Sequence, residues 1–234
     1  MDLPDITIIY VTSNTISNNF RDSIIDVMLK GIGNASVISV SKKPMDLGFN
    51  IVCPNERSHV GIYRDALVGA KAAKTKYVGF AEDDVLYSPD HFKKRPSSGK
   101  FAYNVACWSL FTWHEPPTFN YTGRRNLGQL ICERDLFIEA MEERFKKYPE
   151  EKMVDNRYWA EPSKYERQLG VTIRDAELFY TDPPNVMFSH FEGLSYHTIG
   201  ERKRLAPIRA YEIPYWKRAE DVIKIYEKNT INTR

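Results

Sequence analysis

The chain has 234 residues, with 33 Lys and Arg against 31 Asp and Glu and a formal charge of +2, so composition alone gives no reason to invoke nucleic acid or an anionic membrane as a partner. Hydrophobic residues at 42% and aromatics at 13% exclude a disordered or low-complexity chain. The length suits one sizeable α/β domain over residues 1–234.

Cys53, Cys107 and Cys132 are odd in number, widely spaced and set in apolar surroundings, which reads as reduced thiols rather than a disulfide framework. The N-terminus has no basic segment followed by an apolar one, and no apolar run approaches the roughly 18 residues of a membrane span. The expectation is a soluble, cytoplasmic chain without a membrane span.

Taken in order, the first element is Ile6–Val11, a β-branched and aromatic run of the kind covered on both faces, read as a parallel strand. Thr12-Ser13-Asn14-Thr15 supplies turn and cap chemistry, and Ile24, Ile25, Met28 and Leu29 then recur at helical spacing until Gly31 and Gly33. Val37–Val40 reads as a second strand and Asn50–Cys53 as a short third. Residues 56–76 form a helix ending among Lys71, Lys74 and Lys76. Tyr77–Ala81 is a strand that delivers Glu82, Asp83 and Asp84 to its C-terminal edge, where open α/β sheets bind ligands.

The second half is less regular. Phe101–Trp108 and 182–191 read as strands, Arg134–Lys147 as an amphipathic helix and Tyr215–Lys228 as a closing helix. Residues 112–126, rich in Pro, Thr, Asn and aromatics, read as a long loop that could serve as a lid. Between Ile199 and Arg218, Arg202, Lys203, Arg204, Arg209, Lys217 and Arg218 outnumber Glu201 and Glu212.

Adjacent carboxylates where a strand gives way to a turn make a site for a hard, oxygen-loving cation. A divalent ion there would offset the charge that grows on a departing diphosphate. Asp84 is the favoured direct ligand; Glu82 would assist the metal or hold ribose hydroxyls, and Asp83, a further candidate for the donor site, would point away from at least one of them if the strand alternation persists. The bland alternative is a solvated acidic turn.

This arrangement resembles the GT-A glycosyltransferase superfamily, most sharply over residues 6–92. Ile62-Tyr63-Arg64-Asp65-Ala66 is similar to the Ala-Arg-Asn-like helix segment of that superfamily, and Glu82-Asp83-Asp84 to its Asp-x-Asp element, with Glu in place of the first Asp. The resemblance implies a mixed, mainly parallel Rossmann-like sheet flanked by helices, with residues 1–92 binding the nucleotide sugar and 93–234 the acceptor. It also implies Thr12 and Asn14 in the nucleotide pocket and Arg64 near the nucleotide or diphosphate. His197-x-x-Gly200-x-x-Lys203 is similar to the His-x-x-Gly-x-x-Lys element of the retaining glycogenin and lipopolysaccharide galactosyltransferase-like family, although Arg204-Leu205 then replaces that family's Pro and aromatic. This second likeness implies His197 as another metal ligand, Gly200 giving backbone access to the diphosphate, and Lys203 on phosphate.

His190, between Phe188 and Phe191, competes for the metal but reads better as a hydrogen-bonded core histidine. Residues 159–170 loosely resemble the stretch that carries the acceptor base in inverting members, which makes Glu161 the first candidate base and Glu166 the second. Trp108, Trp113 and Trp159 are candidates to stack on a sugar, against the plainer reading of core packing. The expectation is therefore a glycosyltransferase using Mn²⁺ or Mg²⁺ and a nucleotide-sugar donor, a UDP-sugar first among them. Its acceptor is open: a polysaccharide or other glycan, a protein, a small metabolite or a modified base in DNA, with the basic C-terminal stretch leaning toward an anionic one. The competing enzyme class is a nucleotidyltransferase, which would want a Gly-rich cationic loop after the first strand that 11–15 lacks. A non-enzymatic nucleic-acid or phospho-ligand module built on 202–218 is the remaining alternative.

Overall fold

The computed structural model describes residues 4–155, 158–159, 161–193 and 205–226. His197, Gly200 and Lys203 lie outside the described residues. The first half gives β1 (Ile6–Thr12), α1 (Asn18–Ile32), β2 (Ser36–Ser41), β3 (Phe49–Val52), α2 (His59–Ala72), β4 (Tyr77–Glu82) and β5 (Val85–Leu86). The second gives β6 (Lys100–Asn104), β7 (Cys107–Phe111), β8 (Phe119–Tyr121), β9 (Leu130–Glu133), α3 (Arg134–Lys147), α4 (Glu166–Leu169), β10 (Asp175–Phe179) and β11 (Asn185–Ser189). It closes with β12 (Arg209–Ala210), β13 (Glu212–Ile213), β14 (Lys217–Arg218) and α5 (Ala219–Val222).

A seven-stranded sheet, ordered β10-β6-β9-β4-β1-β2-β3, forms the centre. β9 is antiparallel to both neighbours and every other pairing in the sheet is parallel. The expected α/β architecture, a mainly parallel sheet with helices against it, is thus the observed one. β1 is buried at all seven positions because both its faces are covered. Ile9 and Val11 join Val78 and Phe80 of β4 in a core beneath α2 and α3. The alternate residues Ile6, Ile8 and Tyr10 join Met28 of α1 and Phe92 on the other face.

A second, five-stranded sheet, ordered β12-β8-β7-β11-β5, packs on the far side of α1 through Phe20, Ile24, Leu110, Phe119 and Phe188. β5 belongs to this sheet although it follows β4 after a two-residue turn, so the acidic turn is where the chain passes from one sheet to the other.

Several expected boundaries differ. The run 101–108 is two strands, β6 and β7, in different sheets, because Val105 and Ala106 turn the chain between them. Segment 112–126 is not one long loop: its apolar Phe119 pairs with Leu110, making β8 an antiparallel partner of β7. Among the described residues the expected closing helix is α5 and one 3₁₀ turn, since Lys217 and Arg218 are taken up by a hairpin with β13. α1 runs through Gly31 to Ile32 and stops at Gly33, whose φ of 60° is left-handed. The cysteines are free, with Cys107 and Cys132 buried and Cys53 partly so. Among the described residues no helix is long and apolar enough to cross a membrane.

Candidate active site

The parallel strands β1, β2 and β4 end on the same edge, and a cavity of about 390 Å³ opens there. β1 contributes Thr12, β2 leads into Lys42, the loop before α2 carries Arg57, α2 contributes Tyr63 and Asp65, and β4 delivers Glu82, Asp83 and Asp84. Phe188 donates its backbone N–H to the Asp84 carbonyl at 2.8 Å, and Met187 pairs with Val85, so β11 is fastened to the acidic turn. Two residues further along β11's path lies His190.

That fastening brings His190 Nε2 to 3.5 Å from Asp84 Oδ2. On the other side, His190 Nδ1 lies 3.1 Å from Glu192 Oε2, which also accepts the Tyr226 hydroxyl at 2.6 Å. Burial pulls the imidazole pKa down, but the hydrogen bonds to Asp84 and Glu192 outweigh it and lift it to about 9. The residue is buried and hydrogen-bonded as the sequence led one to expect of a core histidine, yet it also lines the cavity against the very carboxylate favoured as metal ligand.

The acids are not equivalent. Asp83 accepts from the Thr12 hydroxyl, and burial followed by the neighbouring Asp84 raises its carboxyl to about 6. Glu82 accepts from the Gly128 amide at 3.2 Å. Burial, then Asp84, Asp83 and Glu161, push Glu82 up to about 8. Both side chains keep some surface toward the cavity while protein mass surrounds them, which is how a partly accessible carboxylate can still be desolvated.

Cations line the same cavity as these acids. Arg57 is held by the Glu192 carbonyl at 2.6 Å, and burial lowers its pKa despite Asp83 and Asp84 nearby. Lys42 meets Asp65 at 2.5 Å, and Arg124, Arg125 and Lys164 line the rim, as does Trp113, stacked on Phe111. Glu161 enters from the segment before α4, its Oε1 accepting from Tyr63 at 3.2 Å and its Oε2 lying 3.4 Å from Lys164 Nζ.

Of the residues singled out from sequence, Thr12, Glu82, Asp83, Asp84, Trp113, Glu161 and His190 meet on this one cavity. Asn14 instead accepts the backbone amides of Lys42 and Lys43 through Oδ1, at 2.8 and 3.0 Å, and so shapes the cavity's edge from outside it. Arg64 sits over the Phe145 ring at 4.3 Å, with its guanidinium on the Pro149 carbonyl, facing away from the cavity. Glu166 is buried and accepts the Ser163 and Arg174 amides at 2.8 and 2.6 Å. Trp159 packs in the core against Phe145, and Trp108 against Tyr121. Arg57, Lys42 and Tyr63 went unread. Arg57 sits just before Ser58, the N-cap of α2, in the stretch between a strand and a helix where ligand-facing residues gather.

No protein-family model matches the chain, and no curated protein does. Solved structures similar to it include residues 1–349 of S. aureus TarS in complex with UDP-GlcNAc, at 17% identity and a TM-score of 0.31, covering 38% of this chain and 29% of that one. A second is the mannosyltransferase PcManGT from Pyrobaculum calidifontis in complex with GDP-Man and Mn²⁺, at 12% identity and a TM-score of 0.47, covering 84% of this chain and 59% of that one. A third is a nucleotidyl transferase from Methanothermobacter, at 12% identity and a TM-score of 0.41, covering 74% of this chain and 86% of that one.

Proposed function

We propose that the chain is a glycosyltransferase that moves a sugar from a nucleoside-diphosphate donor to an acceptor hydroxyl. The observation that carries this reading is the pairing of Asp84 with His190 across from Arg57, in a cavity that also holds Glu161. Such a set has one group for each demand of the reaction.

Mn²⁺ would be held by Asp84 and His190, since it accepts an imidazole nitrogen where Mg²⁺ prefers oxygen ligands, once the ring gives up its Nε2 proton; Glu192 on Nδ1 orients the ring so that Nε2 faces Asp84. Among the described residues no three His, Cys, Asp or Glu side chains surround a common point, so donor phosphate oxygens and water would fill the other positions. When bound, the ion would stabilise negative charge on the departing diphosphate. Arg57 aids the same charge from the loop before α2, and its partly buried position strengthens that interaction. Thr12 fixes Asp83, and the Lys42–Asp65 pair offers a donor and an acceptor to the nucleoside. Glu161, held by the Tyr63 hydroxyl, is the carboxylate placed to take the acceptor's proton. The resemblance of 197–203 to the His-x-x-Gly-x-x-Lys element adds His197 as a further candidate metal ligand, and Gly200 and Lys203 as candidate contacts to the diphosphate. A UDP-sugar is the first donor to test, and the cations Arg124, Arg125 and Lys164 at the rim favour an anionic acceptor such as a charged glycan or a modified base in DNA.

The test is a screen of UDP- and GDP-sugars with MnCl₂, monitoring nucleoside diphosphate release. Turnover that chelation abolishes is the expected result. Release of pyrophosphate from a nucleoside triphosphate and sugar phosphate, without turnover of any nucleotide sugar, would instead identify a nucleotidyltransferase.

A further inference from the structure

We propose that Arg144 and Glu166 form a positioning pair whose task is to hold Glu161 on the cavity wall, so that Glu166 serves the reaction indirectly and is not itself a base. The proposal rests on the reading of Glu161 as the group that accepts the acceptor's proton.

Glu161 lies in an irregular stretch between the end of α3 and α4. Ser163 and Tyr165 adopt left-handed φ values of 65° and 58°, costly for residues with a Cβ and kept only where the surroundings fix them. Buried side chains from three elements supply that fixing. Arg144, in the last turn of α3 and fully buried, donates through Nη2 to the carbonyls of Glu161 at 3.3 Å and Lys164 at 3.4 Å. The same guanidinium lies 3.6 Å from Glu166 Oε1. That oxygen accepts the Ser163 amide at 2.8 Å, while Oε2 accepts the Arg174 amide at 2.6 Å. Tyr103, on β6, adds a hydroxyl to the Pro162 carbonyl at 2.7 Å.

The guanidinium thus directs donors at loop carbonyls, and the carboxylate accepts from loop amides. A buried ion pair is a poor way to stabilise a fold, since apolar residues of like volume often serve as well or better. What apolar residues cannot do is bind backbone groups on both sides of one side chain. The pair therefore specifies where the Glu161 carboxylate stands, and a base displaced by an ångström loses its reach to the substrate proton.

The test uses the full chain with MnCl₂ and UDP-glucose, UDP-GlcNAc and GDP-mannose as donors, comparing Glu161→Gln, Glu166→Gln, Arg144→Lys and Arg144→Ala. Glu161→Gln should abolish turnover. Glu166→Gln and Arg144→Lys should lower kcat by about 10- to 100-fold while donor affinity, measured by calorimetry, stays within about twofold. Guanidinium ion should restore part of the turnover of Arg144→Ala, and hydrogen exchange at the Ser163 and Arg174 amides should quicken in Glu166→Gln. If Arg144→Ala does not fold, the near-isosteric Glu166→Gln decides. Wild-type kcat in both pair variants, with Glu161→Gln inactive, overturns the proposal while leaving the base in place. Loss of donor affinity in step with kcat overturns it as well, since the pair would then shape the whole cavity. Full turnover by Glu161→Gln overturns the reading of the base itself.

Discussion

Asp83 and Asp84 are neighbours with different attachments: one is tied to Thr12, the other faces His190. Asp84→Asn should therefore abolish Mn²⁺-dependent donor binding in a calorimetric titration, whereas Asp83→Asn should weaken it only in part; equal losses would show that the two share one role. In the proposed metal site Glu192 would act a step back, through the ring it orients, and Glu192→Gln should weaken the same binding by about 10- to 100-fold. The acidic turn was legible in the sequence because charge at the end of an apolar run marks the carboxyl edge of a strand. His190 comes after β11 in the same way, but flanking Phe188 and Phe191 give it the look of a core residue, and it is the pairing of β11 with the acidic turn that brings it to the cavity. Arg64 is the opposite case: its helix is plain in the sequence, but helical spacing alone does not say which face meets the cavity. Tyr63 and Asp65 face the cavity, and Arg64 between them packs on Phe145.

At the scale of elements, β1, β2, β4 and α1 to α3 were legible since each is a long run with one clear period. β8 and the hairpin β13–β14 were not, because strands of two or three residues carry too few alternations to be seen and exist only through their partners. Packing between elements can be probed at Gly69, where α2 crosses β1 and β2. A Cβ placed there would overlap Ile9 Cγ2 and lie 3.1 Å from Val40 Cγ2. Both neighbours are buried β-branched residues with little freedom to yield. Gly69→Ala should lower stability by about 1–3 kcal/mol in a denaturant titration, overpacking outweighing the gain in helix propensity. An unchanged midpoint would mean the helix can ride outward at no cost.

At the scale of the whole molecule, the two sheets meet around His91. Its Nδ1 lies 3.2 Å from the side-chain amides of both Asn104 on β6 and Asn185 on β11, and Nε2 meets no partner among the described residues. Burial depresses its pKa to about 3. Because the folded pKa lies below the unfolded value of about 6.5, protons favour the unfolded chain, and stability should fall as pH drops from about 6.5 toward 3, by up to about 1.4 kcal/mol per pH unit. Denaturant titrations at pH 7, 6 and 5 should show this acid limb in the wild type and a flatter one in His91→Gln. Identical limbs would place the sensitivity elsewhere.

The bond from Phe188 to Asp84 also has a bearing on time. It joins positions about a hundred residues apart, and contacts so remote are slow to close because the intervening chain must first be ordered. A ribosome would have released β1 through β4 long before β11 exists to meet the acidic turn. In refolding, the bulk spectroscopic signal should accordingly recover ahead of nucleotide-sugar binding. On the proposed function, competence to hold a donor would come only after the central sheet has formed.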